Sequence, residues 1–143
     1  MRFLLLILCL SVAGCVHIRG KQVCFERGCV NVDVAANEEQ MIKGLSGHAP
    51  LKEHEGMLFK FDREGIYSFW MKDMGFDLDI LWIDKDSNVV YIKEEVEPCG
   101  NEHCPKFASP VPAMYILEVP AGYVKKNRIK VGDHSLVLDI SKQ

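Results

Sequence analysis

The chain has 143 residues, 48% of them apolar and 26% charged, with a formal charge of −3. That length suits one domain with a real core. The mild acidity argues against nucleic acid as a partner, because little counterion release at phosphates would favour binding. Beyond one N-terminal apolar run, no stretch is long enough to cross a bilayer.

Chain order begins with that run. Arg2 precedes an apolar segment from Phe3 to Val12, and small residues lead on to Cys15. A short apolar core between a basic residue and small residues reads as a secretory signal. Val12-Ala13-Gly14-Cys15 resembles a lipobox, the signal in which the Cys thiol is acylated and becomes the new N-terminus. Residues 1–14 are therefore expected to be removed, with residues 15–21 as lipid anchor and tether and 22–143 as a single domain. Acyl chains hold a protein to a bilayer by burying methylenes at about 0.8 kcal/mol each. The expected place is the cell envelope, membrane-anchored and outside the cytosol. Val16, which is no acidic retention signal, favours the outer membrane where the cell has one.

Setting aside Cys9 and Cys15 leaves Cys24, Cys29, Cys99 and Cys104, two C-x4-C pairs. An even number in an exported chain predicts disulfides, with local bonds 24–29 and 99–104 as first choice and crossed pairings open. A four-cysteine zinc site is the alternative, at the edge of the usual ligand spacing.

Residues 30–34 alternate apolar and polar, as a half-buried strand does. Asn37 with Gln40 three residues on predicts a capped helix over 38–46, with Met41, Ile42 and Leu45 on one side. Residues 57–61 read as a strand, 62–65 as its turn and 67–72 as the next strand. A hairpin follows, 78–83 and 89–96 about a polar turn at 84–88. Residues 114–119 read as a strand, 121–124 as a short helix or turn, and 135–140 as the closing strand. The predicted class is mainly β: a small, mainly antiparallel sandwich or irregular barrel with one or two short helices.

Several of these segments carry a pattern in combination: Glu39-Gln40, Gly44-Leu45, Gly56-Met57-Leu58-Phe59, Ser68-Phe69-Trp70-Met71-Lys72, Leu78-Asp79-Ile80, Leu117-Glu118-Val119-Pro120-Ala121-Gly122 and Gly132-Asp133. In that order they resemble the domain-of-unknown-function-192 family, over about residues 30–138. The resemblance implies a compact, often exported β-rich domain, jelly-roll-like, without an agreed biochemical activity. The family usually has a Met and an Arg soon after the Gly-Leu, where this chain has Ser46 and His48, so no role of that Arg is carried over. At position 73 this chain has Asp where the family more often has Asn.

Candidate chemistry concentrates in two places. Strand alternation puts Ser68, Trp70 and Lys72 on one face, where the indole could stack on a sugar or another flat ligand. The plainer reading packs Trp70 under a loop and leaves Lys72 solvated. Asp79 and Glu118 each sit inside an apolar strand, an expensive place for a carboxylate unless it is satisfied. They could be structural acceptors that fix loops, or a general acid and base if they share one cleft.

The five histidines, 17, 48, 54, 103 and 134, show no metal-ligand spacing, and Met57, Met71 and Met74 beside phenylalanines read as core. No metal and no cofactor are expected. The leading expectation is a lipid-anchored envelope binding module with Trp70, Lys72, Asp79 and Glu118 as its cluster and an envelope protein or glycan as partner. Its rivals are an envelope hydrolase using Asp79 and Glu118, and a structural assembly factor with an exposed apolar patch.

Overall fold

The computed structural model describes residues 20–100 and 103–139. The signal, Cys15 and most of the tether lie outside the described residues.

Nine strands and two short helices follow in the order β1 (Lys21–Phe25), β2 (Gly28–Ala35), α1 (Glu38–Lys43), β3 (Glu55–Gly65), β4 (Ser68–Phe69), β5 (Leu78–Ile83), β6 (Val89–Val96), β7 (Phe107–Ala108), β8 (Ala113–Pro120), α2 (Tyr123–Asn127) and β9 (Leu136–Asp139). Seven strands form one sheet in the order β6-β5-β8-β3-β2-β1-β9, and β4 pairs with β7 as a separate ribbon. β2 and β3 run parallel, and every other named pair is antiparallel. A parallel pair needs a crossover, and α1 with the following loop supplies it.

The centre of the sheet is apolar on both sides. All six residues of β5 are buried, as expected of a strand covered on both faces. One core cluster includes Val23, Val30, Leu58, Leu81, Leu117 and Val124. Another includes Met57, Phe59, Met71, Ile80, Trp82 and Ile116. Neighbours in sequence such as Leu81 and Trp82 divide between the two clusters, the period-two signature of a strand.

The sheet curls without closing. Ser135 donates its backbone N–H to the Ser87 carbonyl at 2.8 Å, and Gly132 donates to Val89 at 2.7 Å. The segment that holds one edge of the sheet therefore runs directly into β9 at the other edge. No ladder joins β6 to β9 among the described residues, so the barrel stays open.

The helix cap forms as its sequence demands. Asn37 Oδ1 accepts from the Gln40 N–H at 2.9 Å, and Gln40 Oε1 accepts from Ala36 N–H at 3.1 Å. α1 ends at Lys43 rather than 46, because Gly44 turns to φ 47°. Ile42, expected on the buried side, is 72% exposed. Residues 62–65 continue β3 instead of turning. The strand expected over 67–72 pairs regularly only at Ser68–Phe69, with an isolated bridge from Lys72 to Cys99. The alternation survives: Met71 is buried, while Trp70 and Lys72 are exposed.

The cysteines pair locally, 24 with 29 and 99 with 104. Cys24 and Cys29 are direct cross-strand partners in the β1/β2 hairpin. With all four thiols in disulfides, the four-cysteine zinc site is ruled out.

Candidate functional site

A groove with a cavity of ≈ 490 Å³ opens between α1, β3 and the β4 segment. Its walls are built from aromatic rings held by mutual contact. Phe61 stacks on Tyr67 with ring centroids 3.5 Å apart, and Phe59 meets Phe69 edge to face at 4.7 Å. The Tyr67 hydroxyl donates to the Arg63 carbonyl at 2.7 Å, which fixes the ring. Trp82 Nε1–H donates to the Tyr67 carbonyl at 3.4 Å, tying the wall to the core. On the other side, Gly44 brings the end of α1 close to Phe59, and a Cβ there would sit 3.4 Å from that ring.

Trp70 stands on the rim, 48% exposed. Lys72 Nζ lies 6.0 Å and Lys106 Nζ 5.4 Å from its ring centroid, within cation–π range. The sequence reading that placed Trp70 and Lys72 on one face therefore holds, and Lys106 is an addition it lacked. Lys72 does not line the groove; Trp70 does.

Glu118 also lines the groove, deep within it, at 4% exposure. It pairs in register with Met57 on β3 and Ile80 on β5. No described side chain or backbone group forms a hydrogen bond or ion pair with its carboxyl. Burial alone pushes its pKa up to about 8, because the charged form loses its hydration. The backbone is crowded at the same point: a Cβ on Gly56 would meet the Glu118 carbonyl oxygen at 2.7 Å. Glycine is required there for β3 to pass β8.

Asp79 is fully buried but satisfied. Its Oδ1 accepts from the Glu95 N–H and its Oδ2 from the Val124 N–H, both at 2.9 Å. Glu95 has φ 51° where β6 bulges against β5, and Val124 lies in the first turn of α2. Asp79 thus locks a bulge and a helix start, the structural-acceptor role weighed for it above.

The register separates the two acids. Asp79 is opposite Val119, and Ile80 is opposite Glu118. Val119 and Ile80 belong to different core clusters, so the carboxylates face opposite sides of the sheet. An acid/base pair needs one shared cleft, and the pairing of Asp79 with Glu118 that the hydrolase alternative required does not form. Of the four residues expected to cluster, Trp70 joins Lys72 on the rim, Glu118 joins Trp70 in the groove, and Asp79 stands apart.

Sequence reasoning missed the walls. Phe61, Tyr67 and Phe69 come from two segments, and α1 adds Met41 and Ile42. The available signal was the density of aromatics over residues 59–70 beside a capped helix. No cluster of three or more potential metal ligands occurs among the described residues.

The fold and site define a mainly β domain with disulfides, of the kind an oxidising, exported environment permits, and an aromatic groove lined by Glu118. The chain belongs to the DUF192 family, described as "Uncharacterized ACR", whose profile matches residues 22–136. It is similar to the crystal structure of a candidate transcription regulator from Sinorhizobium meliloti 1021, at 28% identity and a TM-score of 0.72, covering 82% of this chain and 91% of that one. It is also similar in fold to a protein of unknown function from Novosphingobium aromaticivorans DSM 12444, at 24% identity and a TM-score of 0.73, covering 81% and 82% of the two chains. No curated protein matches the chain significantly. No described helix is long and apolar enough to cross a membrane.

Proposed function

We propose that this chain is a binding module of the cell envelope, held to the membrane through a lipid on Cys15, whose site is the groove between α1, β3 and β4. The observation that carries the reading is Glu118, a buried carboxyl with no hydrogen-bond or ion-pair partner among the described residues, in an open, aromatic-lined cavity. A carboxyl so poorly hydrated is costly to ionise, and a ligand that donates to it offsets that cost. Asp79, the second acid the hydrolase reading needs, lies on the other face of the sheet, so binding is favoured over hydrolysis. The regulator named in Sinorhizobium meliloti lends no nucleic-acid role here, since the chain is mildly acidic.

Two measurements test this reading. A fragment library, sugars included, is titrated into the isotope-labelled full chain and followed by amide NMR shifts. Hits should move Phe59, Phe69 and Glu118; hits that map consistently elsewhere overturn the groove. For the anchor, wild-type chain should partition with membranes and Cys15→Ser should not; equal partitioning overturns acylation at that position.

A second reading, contact with a partner protein, draws support from β9. This edge strand exposes Leu136, Val137 and Leu138, and an open apolar edge is a template for pairing. Substituting Val137 with Lys should abolish such a contact and leave groove binding untouched.

A further inference from the structure

We propose that the groove takes an organic cation, a primary ammonium or guanidinium on an apolar stem, with Glu118 as its counter-ion. This inference rests on the groove being the binding site and names what enters it.

The argument starts from what Glu118 lacks. Its carboxyl is buried, lines the cavity and has no hydrogen-bond donor among the described residues. A carboxylate in such a place is stable only beside a charge that also donates hydrogen bonds. An ammonium or guanidinium does both; a quaternary ammonium donates nothing. An anion would meet the ionised Glu118 as a like charge.

The walls suit the stem. Phe59, Phe61, Phe69 and Leu45 offer apolar surface along the way down, and ring faces attract a passing cation. Trp70 is not the seat of the head group, because Lys72 and Lys106 already lie over it. The aromatic rim therefore guides the stem, and the charge goes to the floor.

Other charged groups share the cavity: Glu38 and Lys43 from α1, and Lys60, Asp62 and Arg63 from β3. All five are exposed. They carry both signs and are screened by solvent. None has the depth of Glu118. The remaining titratable group is the Tyr67 phenol, which donates to Arg63.

The test compares phenethylamine with phenethyl alcohol, near-isosteres that differ in the charged head. Both are titrated into the full chain at pH 6, 7 and 8 and followed by NMR and calorimetry. Phenethylamine should bind more tightly, by about tenfold at pH 8. Its affinity should rise by up to about tenfold per pH unit towards pH 8, because the amine is charged throughout while Glu118 must release a proton. The alcohol should show no such rise. Glu118→Gln should abolish the preference for the amine, and an unchanged NMR spectrum elsewhere would exclude misfolding.

Equal binding of amine and alcohol at pH 8, or a preference there that survives Glu118→Gln, overturns the cation while the groove stands. If neither probe nor any library fragment moves the groove amides, the binding-site reading fails as well. A peptide bearing one lysine, with and without Nε-acetylation, separates sources. Binding lost on acetylation assigns a protein side chain; binding by the small amine alone assigns a free amine.

Discussion

Asp79 and Glu118 sit one register step apart on paired strands and face opposite sides of the sheet. One residue of offset gives the two carboxyls opposite fates. Asp79 meets two backbone N–H groups and locks the fold. Glu118 meets an open groove and no donor among the described residues.

The lock is testable by truncation. Asp79→Ala leaves the part-buried Glu95 amide and the buried Val124 amide without their acceptor. Each such loss costs about 1–3 kcal/mol, so the variant should unfold with about 3 kcal/mol less stability in urea. Hydrogen exchange should quicken at Glu95 and Val124 first. A variant as stable as wild type would mean that the two bonds contribute nothing net.

Glu118 predicts a pH dependence of stability. Folded, its pKa stands at about 8; its ordinary value is 4.5. Between those values the folded chain holds a proton that the unfolded chain has released. Stability from this group is therefore full below about pH 4.5, falls as pH rises through the window, and levels off above about pH 8. The total loss should be roughly 3–5 kcal/mol at about 1.4 kcal/mol per unit. Glu118→Gln should flatten the curve in denaturant titrations from pH 5 to 9, and a wild-type curve already flat there would exclude the shift.

Tyr123 carries a buried hydroxyl with no hydrogen-bond partner among the described residues. The same burial pushes its pKa up to about 12. Removing an unsatisfied hydroxyl relieves its desolvation. Tyr123→Phe should therefore raise stability by about 1 kcal/mol, read as a higher Tm. A lower Tm would reveal a partner for the hydroxyl.

The Cys24–Cys29 disulfide closes a short loop in the hairpin. Chain entropy assigns such a loop about 2 kcal/mol. The double variant Cys24→Ser, Cys29→Ser should lose about that much under non-reducing conditions while keeping the β1/β2 pairing in NMR. Loss of the whole fold would show that this bond is obligatory.

Much of the local structure is written in short-range chemistry. Asn37 and Gln40 announce the start of α1, and the apolar runs about a polar turn announce the β5/β6 hairpin. Two C-x4-C spacings announce local disulfides. Asp73 shows why Asn and Asp can exchange: its φ is 57°, a left-handed conformation that both short polar side chains tolerate. The turn expected at residues 62–65 became an irregularity within β3, because pairing with β8 breaks after Lys60 and resumes at Gly65 in a shifted register, a long-range contact that overrides turn-forming residues.

The sequence by itself determined the mainly β class, the family, the alternation that puts Trp70 and Met71 on opposite faces, and the presence of two acids inside apolar strands. Periodicity and spacing suffice for these because they concern neighbours along the chain. Only the tertiary structure decided that β2 and β3 run parallel, that rings from β3 and β4 wall a groove, and that Asp79 finds donors while Glu118 finds none among the described residues. Those outcomes depend on which strands become neighbours and in what register, and a shift of one residue reverses every side chain's face.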